Sequence, residues 1–269
     1  MSTAKTISVT NQKGGVGKTT TTVNLAASMA ATNRRVLLID LDPQGNATMG
    51  SGVDKRTIEK TAAHILLDES AVSECIVPDC KGGYDMIPGN EQLTIAEVQL
   101  LDTKGREFKL RKALQQVIND YDYIFIDCPP SLNMLTVNGL VAANSVIIPT
   151  QCEYYALEGL SALTQTIERI RMSANPELKI EGLLRTMYDP RNNLANDVSA
   201  QLTSHFGESV YRTIIPRNVT LAEAPSHGLP VLIYDKRSRG ALAYLALAGE
   251  MLRRDENSAS SAMTPAMAN

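Results

Sequence analysis

The sequence predicts a single-domain α/β fold, in which a mostly parallel, twisted β-sheet carries helices on both faces. The apolar runs 36–39 and 123–126 are continuous, which is typical of parallel strands buried on both sides. Each run ends in an aspartate, and helical segments separate the predicted strands. The chain has 269 residues, and α/β sheets of this size often form one unit.

Composition narrows the functional classes. Hydrophobic residues make up 43% and charged residues 20%, which is ordinary for a chain that buries a sizeable core. The net charge is -3, so any DNA binding needs a local basic patch. The chain has no Trp and 4% aromatic residues, so stacking on bases is not expected to dominate. No apolar run is suited to span a membrane or to form a signal peptide, so we expect a cytoplasmic protein. The four cysteines lack the spacing of metal ligands, so we expect them to be reduced thiols.

The first candidate site follows the predicted strand 6–10. Residues 11–20 read N-Q-K-G-G-V-G-K-T-T and lead into a helical run at 21–30. Glycines let the backbone turn tightly around phosphate oxygens, and the helix N-terminus adds unpaired N–H donors. The pattern predicts a phosphate-binding loop in which Lys18 reaches the β- and γ-phosphates and the Thr19 hydroxyl ligates Mg²⁺. The predicted nucleotide-binding residues of this loop are Gly14, Gly15, Val16, Gly17, Lys18, Thr19 and Thr20.

A second lysine, Lys13, stands directly before Gly14. One lysine is enough to bind the phosphates, so Lys13 is either an ordinary surface residue or has another role. The run K-G-G-V-G-K-T-T resembles the deviant Walker A motif of the ParA/MinD ATPases. This resemblance implies a P-loop NTPase fold, ATP and Mg²⁺ as cofactors, and a lysine at position 13 that crosses a dimer interface to the partner's nucleotide.

The second predicted strand, 35–40, leads into D-L-D-P-Q-G-N at 40–46. Carboxylates at the end of a buried strand could hold the water shell of a metal and orient an attacking water. Taken alone, the segment is also a good turn sequence. D-x-D-P-Q-G-N resembles the second motif of the same family, which implies that Asp42 positions the hydrolytic water. Asp40 is then a structural or outer-shell metal group.

The third motif is I-D-C-P-P-S at 126–131. A hydrophobic strand that ends in aspartate is the Walker B arrangement, in which Asp127 holds Mg²⁺ through water. The alternative is an aspartate that caps the next helix. The motif closely resembles the family's form, and the two prolines mark the end of the strand. The three motifs together give as catalytic residues Lys13, Lys18 and Asp42, and as metal-site residues Thr19, Asp40 and Asp127.

The other elements are predicted from apolar periodicity and breakers. Further strands are predicted at 75–80, 84–88, 144–150, 180–187 and 210–215. Further helices are predicted at 61–67, 90–101, 108–119, 157–170, 194–206 and 241–254. Residues 49–104 show no recognisable chemistry. The small, polar residues 257–269 are expected to be a disordered tail, which leaves 1–256 as the ATPase domain.

Two later segments are interpreted through the resemblance. The run 216–228 resembles the family segment that closes over adenine, which implies that backbone groups contact the base. The implied base-contacting residues are Thr186, Met187, Pro216, Arg217 and Asn218. Basic residues gather in the C-terminal third, where composition alone favours a solvated surface. In short ParA-like proteins, basic residues of this region bind double-stranded DNA without sequence specificity. The implied DNA-binding residues are Arg191, Arg217, Lys236, Arg237 and Arg239.

These features predict a ParA/Soj-type ATPase that partitions chromosomes or plasmids. The resemblance implies an ATP-bound homodimer on the nucleoid, slow intrinsic hydrolysis, and stimulation by a ParB-like centromere-binding protein. A MinD-like membrane-cycling ATPase is an alternative, but it needs a basic amphipathic C-terminal helix that the tail lacks. A P-loop enzyme that phosphorylates a carboxylate is another, although the sequence announces no substrate pocket. Since about ten residues precede the phosphate-binding loop, no helix-turn-helix module is expected.

Overall fold

A computed structural model describes residues 3–263, with side chains described through residue 257. Eight strands form one sheet in the order β3-β4-β2-β5-β1-β6-β7-β8. All neighbouring strands are parallel except β3 and β4, which pair antiparallel at one edge. The mostly parallel sheet is therefore confirmed. The strands are β1 (Lys5–Val9), β2 (Val36–Asp40), β3 (Val77–Cys80), β4 (Tyr84–Ile87), β5 (Tyr123–Asp127), β6 (Ser145–Gln151), β7 (Lys179–Tyr188) and β8 (Val210–Pro216).

Helices cover both faces of this sheet. One core forms where α1 and α12 pack on one face, and two further cores form on the opposite face, under α3 to α7 and under α8 and α9. The α-helices are α1 (Lys18–Ala30), α2 (Asn46–Gly50), α3 (Ala62–Leu66), α4 (Val72–Cys75), α5 (Gln92–Leu100), α6 (Lys109–Leu114), α7 (Met134–Ala142), α8 (Ala156–Ser173), α9 (Asn193–Phe206), α10 (Val219–Glu223), α11 (Val231–Tyr234) and α12 (Arg239–Met263).

The central strands are buried along their whole length. Every residue of β2 and of β5 is buried. Along β2, Leu38 enters the core under α1, whereas Leu37 and Ile39 enter the core on the other face. Apolar side chains are needed on both sides, which is why these runs do not alternate with polar residues. None of the described helices is long and apolar enough to cross a membrane.

Several predicted boundaries differ from the structure. The predicted strand 75–80 begins only at Val77, because α4 occupies the residues before it, and α6 is shorter than the predicted helix 108–119. The last helix does not end at 254 but continues to Met263. The Asp255 carboxylate accepts hydrogen bonds from Lys5 and from the Tyr123 hydroxyl, which attaches the helix to the sheet beyond 254. The predicted disordered tail thus overlaps the end of α12, while residues 264–269 lie outside the described residues.

Candidate active site

The sheet brings the three motifs to one place. The phosphate-binding loop, residues 11–17, follows β1 at the centre of the sheet, between β5 and β6. Asp127 ends β5 and pairs in register with Val9 on one side and with Asp40 on the other. The crossover after β1 runs to β2 on one side, whereas the crossover after the neighbouring β5 runs to β6 on the other side, so the motifs meet at the topological switch point where open α/β sheets bind ligands.

The phosphate-binding loop is an open backbone cradle. Gly15 and Gly17 have φ values of +73° and +87°, in the left-handed region where glycine is favoured. No atom lies within 4 Å of a Cβ built on Gly14 or Gly15, so the space above the loop is free. Among the described residues, none accepts a hydrogen bond from the backbone N–H groups of 14–17. Unpaired backbone donors in a glycine-rich loop fit an anionic ligand such as the phosphates of a nucleotide.

Lys18 is the buried cation of the site. It begins α1 and is 7% exposed. Its Nζ donates to the main-chain oxygen of Lys13 at 3.2 Å rather than to a carboxylate. Burial lowers the pKa of Lys18, while the charges of Asp127 and Asp42 oppose that shift. An ammonium held by one main-chain oxygen can turn its remaining donors to phosphate oxygens.

Asp127 is fully buried beside two hydroxyl groups of α1. It accepts hydrogen bonds from Thr19 Oγ1 at 2.8 Å and from Thr22 Oγ1 at 2.9 Å. Burial raises the pKa of Asp127 above its ordinary range, and the neighbouring Asp40 raises it further. A bound cation would offset that cost of a buried charge. Sequence reasoning missed Thr22, although its position three residues after Thr19 puts both hydroxyls on one helix face.

Asp40 and Asp42 have different surroundings. Asp40 is fully buried, and its carboxylate accepts three hydrogen bonds, from Thr48 N, Thr48 Oγ1 and Asp42 N. Such a set of donors fits a structural role in shaping the loop 41–45. Asp42 is 8% exposed, and one of its oxygens accepts the backbone N–H of Gln44 at 2.9 Å. The charge of Asp42 opposes the lowering of the Lys18 pKa by burial.

Lys13 lies on the exposed rim of the loop. Its Nζ forms an ion pair with Glu153, which follows β6 in the same chain. Both side chains are nearly half exposed. Sequence reasoning did not predict Glu153 as a partner, because 140 positions separate the two residues. The lysine is therefore at the surface, on the same edge of the sheet as the phosphate-binding loop.

The residues expected around the base meet beside the loop. Thr186 donates its hydroxyl to the Val16 carbonyl oxygen at 2.8 Å. The Met187 side chain comes within 3.8 Å of a Cβ built on Gly17. Pro216 pairs in register with Tyr188, so the end of β8 lies next to the end of β7. The side chain of Asn218 caps α10 by accepting the N–H of Leu221, and Arg217 is exposed beside it.

The five predicted DNA-binding cations are all exposed at the same edge of the sheet. Arg191 pairs with Asp189 after β7, and Arg217 acts on that carboxyl as well. The hydrogen bond from Arg191 is the main cause that lowers the pKa of Asp189 to about 2. Residues 236–239 lead into α12, where Gly240 packs on Leu221 just beyond the end of β8. The cations therefore follow the ends of β7 and β8.

The cysteine side chains fit a packing role. All four cysteines are free and buried. Cys128 Sγ lies 3.2 Å from Ser8 Oγ, and burial raises the pKa of the thiol to about 12. Among the described residues, no group of three or more His, Cys, Asp and Glu side chains could hold a metal by itself.

The chain is similar to known proteins over nearly its whole length. The family described as "AAA domain" matches residues 4–180. An uncharacterized protein of Pseudomonas putida is 62% identical over 261 residues, which are 97% of this chain and 99% of that protein. The sporulation initiation inhibitor protein Soj of Bacillus subtilis is 53% identical over 92% of this chain and 98% of its own length. The chromosome partitioning protein ParA of Myxococcus xanthus is 50% identical over 93% of this chain and 88% of its own length.

Solved structures share the fold. Cobyrinic acid a,c-diamide synthase from Mycobacterium smegmatis, with bound ATP analog and magnesium, superposes with a TM-score of 0.84 at 37% identity, covering 95% of this chain and 97% of that one. The septum site-determining protein MinD from Pyrococcus horikoshii, complexed with Mg-ADP, has a TM-score of 0.74 at 24% identity over 92% of this chain and 95% of its own, and shows the fold alone. The sequence relatives and the motifs agree: this chain belongs to the ParA/Soj chromosome partitioning ATPases of the ParA/MinD family.

Proposed function

We propose that this chain partitions DNA as a nucleotide-bridged homodimer that binds duplex DNA nonspecifically and leaves it after hydrolysing ATP. Its membership of the partitioning ATPases supports ATP hydrolysis with Mg²⁺. The observation that carries the proposal is a shared edge: Lys13 and the five exposed cations lie at the same end of the sheet as the phosphate-binding loop. Nucleotide, partner subunit and DNA can therefore influence one another over short distances.

Within one subunit, ATP is the substrate. The backbone N–H groups of the loop and Lys18 bind its phosphates, while Thr19 and Asp127 would hold Mg²⁺. When bound, the ion neutralises charge that develops on the phosphates. Asp42 accepts a hydrogen bond from the attacking water and orients it. Electrostatic catalysis requires such groups to be positioned before the reaction begins.

Between subunits, Lys13 is the mobile contact. Its ion pair with Glu153 is solvent-exposed, and such pairs contribute only about 0–1 kcal/mol. A triphosphate on a facing subunit carries far more negative charge than one carboxylate, so Lys13 can exchange Glu153 for that triphosphate. In a two-fold dimer each Lys13 then reaches the other subunit's nucleotide, and loss of the γ-phosphate weakens both contacts at once.

Pairing of two subunits also doubles the cations that can face one duplex. The net charge of -3 excludes attraction through bulk charge, so the exposed arginines and lysines must supply the phosphate contacts. A single subunit offers few such contacts, and a dimer offers twice as many at fixed spacing. ATP thereby controls residence on the nucleoid. A ParB-like partner that accelerates hydrolysis would release the dimer.

The test is co-sedimentation with nonspecific duplex DNA in ATP, ADP or no nucleotide, alongside light scattering to measure the dimer fraction. Wild type should dimerise and bind DNA only with ATP. Asp42→Ala should bind ATP, dimerise and stay on DNA with much lower turnover, whereas Lys13→Ala should bind ATP and remain monomeric. Arg191→Ala should dimerise but bind DNA more weakly, with a salt slope smaller by about two charges, because each dimer loses two arginines.

Arg171→Ala is the matched control for Arg191. Arg171 is also exposed and paired with a neighbouring acid, but it lies near the end of α8, far along that helix from the edge that carries the loop. Its removal should leave DNA binding unchanged. If the protein stays monomeric in saturating Mg·ATP, even when it carries Asp42→Ala, the proposed cycle is contradicted. If Arg191→Ala binds DNA as well as wild type does, Arg191 does not belong to the proposed DNA-binding surface.

A further inference from the structure

A buried hydrogen-bond hub lies behind the loop that carries Asp42. Its centre is Thr48, a fully buried residue of α2. The backbone N–H and the hydroxyl of Thr48 both donate to one oxygen of Asp40, each at 2.8 Å. The other oxygen of Asp40 accepts the backbone N–H of Asp42 at 3.0 Å. Asp40 is therefore held between α2 and the start of the loop 41–45.

The same hydroxyl reaches the segment between β4 and α5. It accepts the N–H of Gly89 at 2.9 Å and lies 3.1 Å from the Gly89 carbonyl oxygen. A Cβ on Gly89 would lie 2.5 Å from the main-chain oxygen of Asp40, so the two segments are in tight contact. A hydroxyl has one hydrogen and two lone pairs, so it can donate to Asp40 while it accepts from Gly89. An aliphatic side chain can do neither.

Gly45 fixes the other end of the loop on the same segment. Its φ is +60°, and a Cβ there would lie 2.6 Å from the Gly89 carbonyl oxygen. The loop 41–45 is thus held at its start through Asp40 and at its end through Gly45. Fixing both ends limits the positions that Asp42 can take before any nucleotide arrives. Groups that act on a transition state need such prior placement.

We propose that Thr48 is a positioning residue for ATP hydrolysis, which holds Asp42 through Asp40 and anchors it to the β4–α5 segment at Gly89. The inference rests on the proposed role of Asp42 as the group that orients water. The side chain of Thr48 is fully buried and points to Asp40 rather than to the phosphate-binding loop. Loss of the hydroxyl should therefore lower kcat and leave ATP affinity unchanged.

The test compares Thr48→Val, Thr48→Ser and Ser51→Ala in steady-state hydrolysis of Mg·ATP, with ATP affinity and Tm measured for each. Thr48→Val keeps the shape of the side chain, and its kcat should fall roughly ten- to a hundredfold, as when a partner of a metal-site carboxylate is removed. Thr48→Ser keeps the hydroxyl and should retain most of the rate. Ser51 is the control: it has an equally buried hydroxyl that bonds Ala47 O and Tyr84 OH instead of Asp40, so Ser51→Ala should keep kcat.

A double variant shows whether Thr48 acts through Asp42. Thr48→Val combined with Asp42→Ala should be no slower than Asp42→Ala alone. The proposal is overturned if Thr48→Val keeps the wild-type rate, if Thr48→Ser is as slow as Thr48→Val, or if the losses multiply in the double variant. Should Thr48→Val not fold, Thr48→Cys takes its place, since a thiol is a weak donor, and the same outcomes decide.

Failure of the two proposals can be told apart. If Asp42→Ala hydrolyses ATP at the wild-type rate, the proposed role of Asp42 fails, and the positioning role of Thr48 falls with it. If Asp42→Ala is slow while Thr48→Val is not, only the positioning role is overturned, and the proposed function stands.

Discussion

Thr22 offers a direct measure of how the site supports Asp127. Thr22→Val removes the hydroxyl and keeps the β-branched shape, so packing and helix propensity change little. The buried carboxylate then keeps only the hydroxyl of Thr19. Above the raised pKa of Asp127 the carboxyl is ionised, and hydrogen bonds to charged groups contribute about 1.5–3 kcal/mol, so at that pH we expect the free energy of unfolding to fall by about 2 kcal/mol.

The expected shift in melting temperature follows from chain length. An unfolding entropy of about 2.1 cal/mol/K per residue gives about 0.6 kcal/mol/K for 269 residues, so about 2 kcal/mol lowers Tm by about 3–4 °C. Affinity for Mg·ATP should also fall, roughly ten- to a hundredfold, because Asp127 loses part of its orientation. Thermal unfolding without nucleotide and titration with Mg·ATP measure the two effects separately.

Ser28 in the same helix is the matched control for Thr22. It is fully buried, and within the described residues its hydroxyl has no hydrogen-bond partner. Ser28→Ala should leave both Tm and Mg·ATP affinity unchanged or raise Tm slightly. If Thr22→Val matches wild type in both measurements, the hydroxyl does not support Asp127 and the reasoning is refuted.

Two further predictions concern buried polar groups. Since burial and Asp40 raise the pKa of Asp127, the folded state binds more protons than the unfolded state, and the free energy of unfolding should fall as pH rises above the ordinary carboxyl pKa of about 4. Urea unfolding without Mg²⁺ at several pH values gives the dependence of the free energy of unfolding on pH, which should be weaker in Asp127→Asn than in wild type. An equal dependence in both proteins would contradict the raised pKa of Asp127. Tyr211→Phe should stabilise the protein by about 1 kcal/mol, because its buried hydroxyl has no partner in the described part of the chain, whereas Tyr84→Phe should destabilise it by a similar amount through loss of the 2.7 Å bond to Ser51. Urea midpoints measure both changes, and a loss of stability in Tyr211→Phe would show that this hydroxyl is bonded.

Motifs that are contiguous in the chain could be predicted before the structure. The phosphate-binding loop needs only a strand, a glycine turn and a helix start, and all three lie within residues 5–30. The buried strands could also be predicted, since a strand covered on both faces must be apolar throughout. The extent of α12 could not, because Asp255 bonds to Lys5, which is 250 positions away, and to Tyr123, which is 132 positions away.

By itself, the sequence determined the family, the fold class and the chemistry of the three motifs, because each motif is short and its geometry follows from local backbone preferences. Only the tertiary structure decided which donors meet each carboxylate. Thr48 contacts Gly89, which is 41 positions away, and Lys13 contacts Glu153, which is 140 positions away. The strand order of the sheet makes these residues neighbours, and no local sequence pattern encodes that order. The side chains that tune the site are therefore decided by the packing of the sheet, while the groups that bind phosphate are already apparent in the chain.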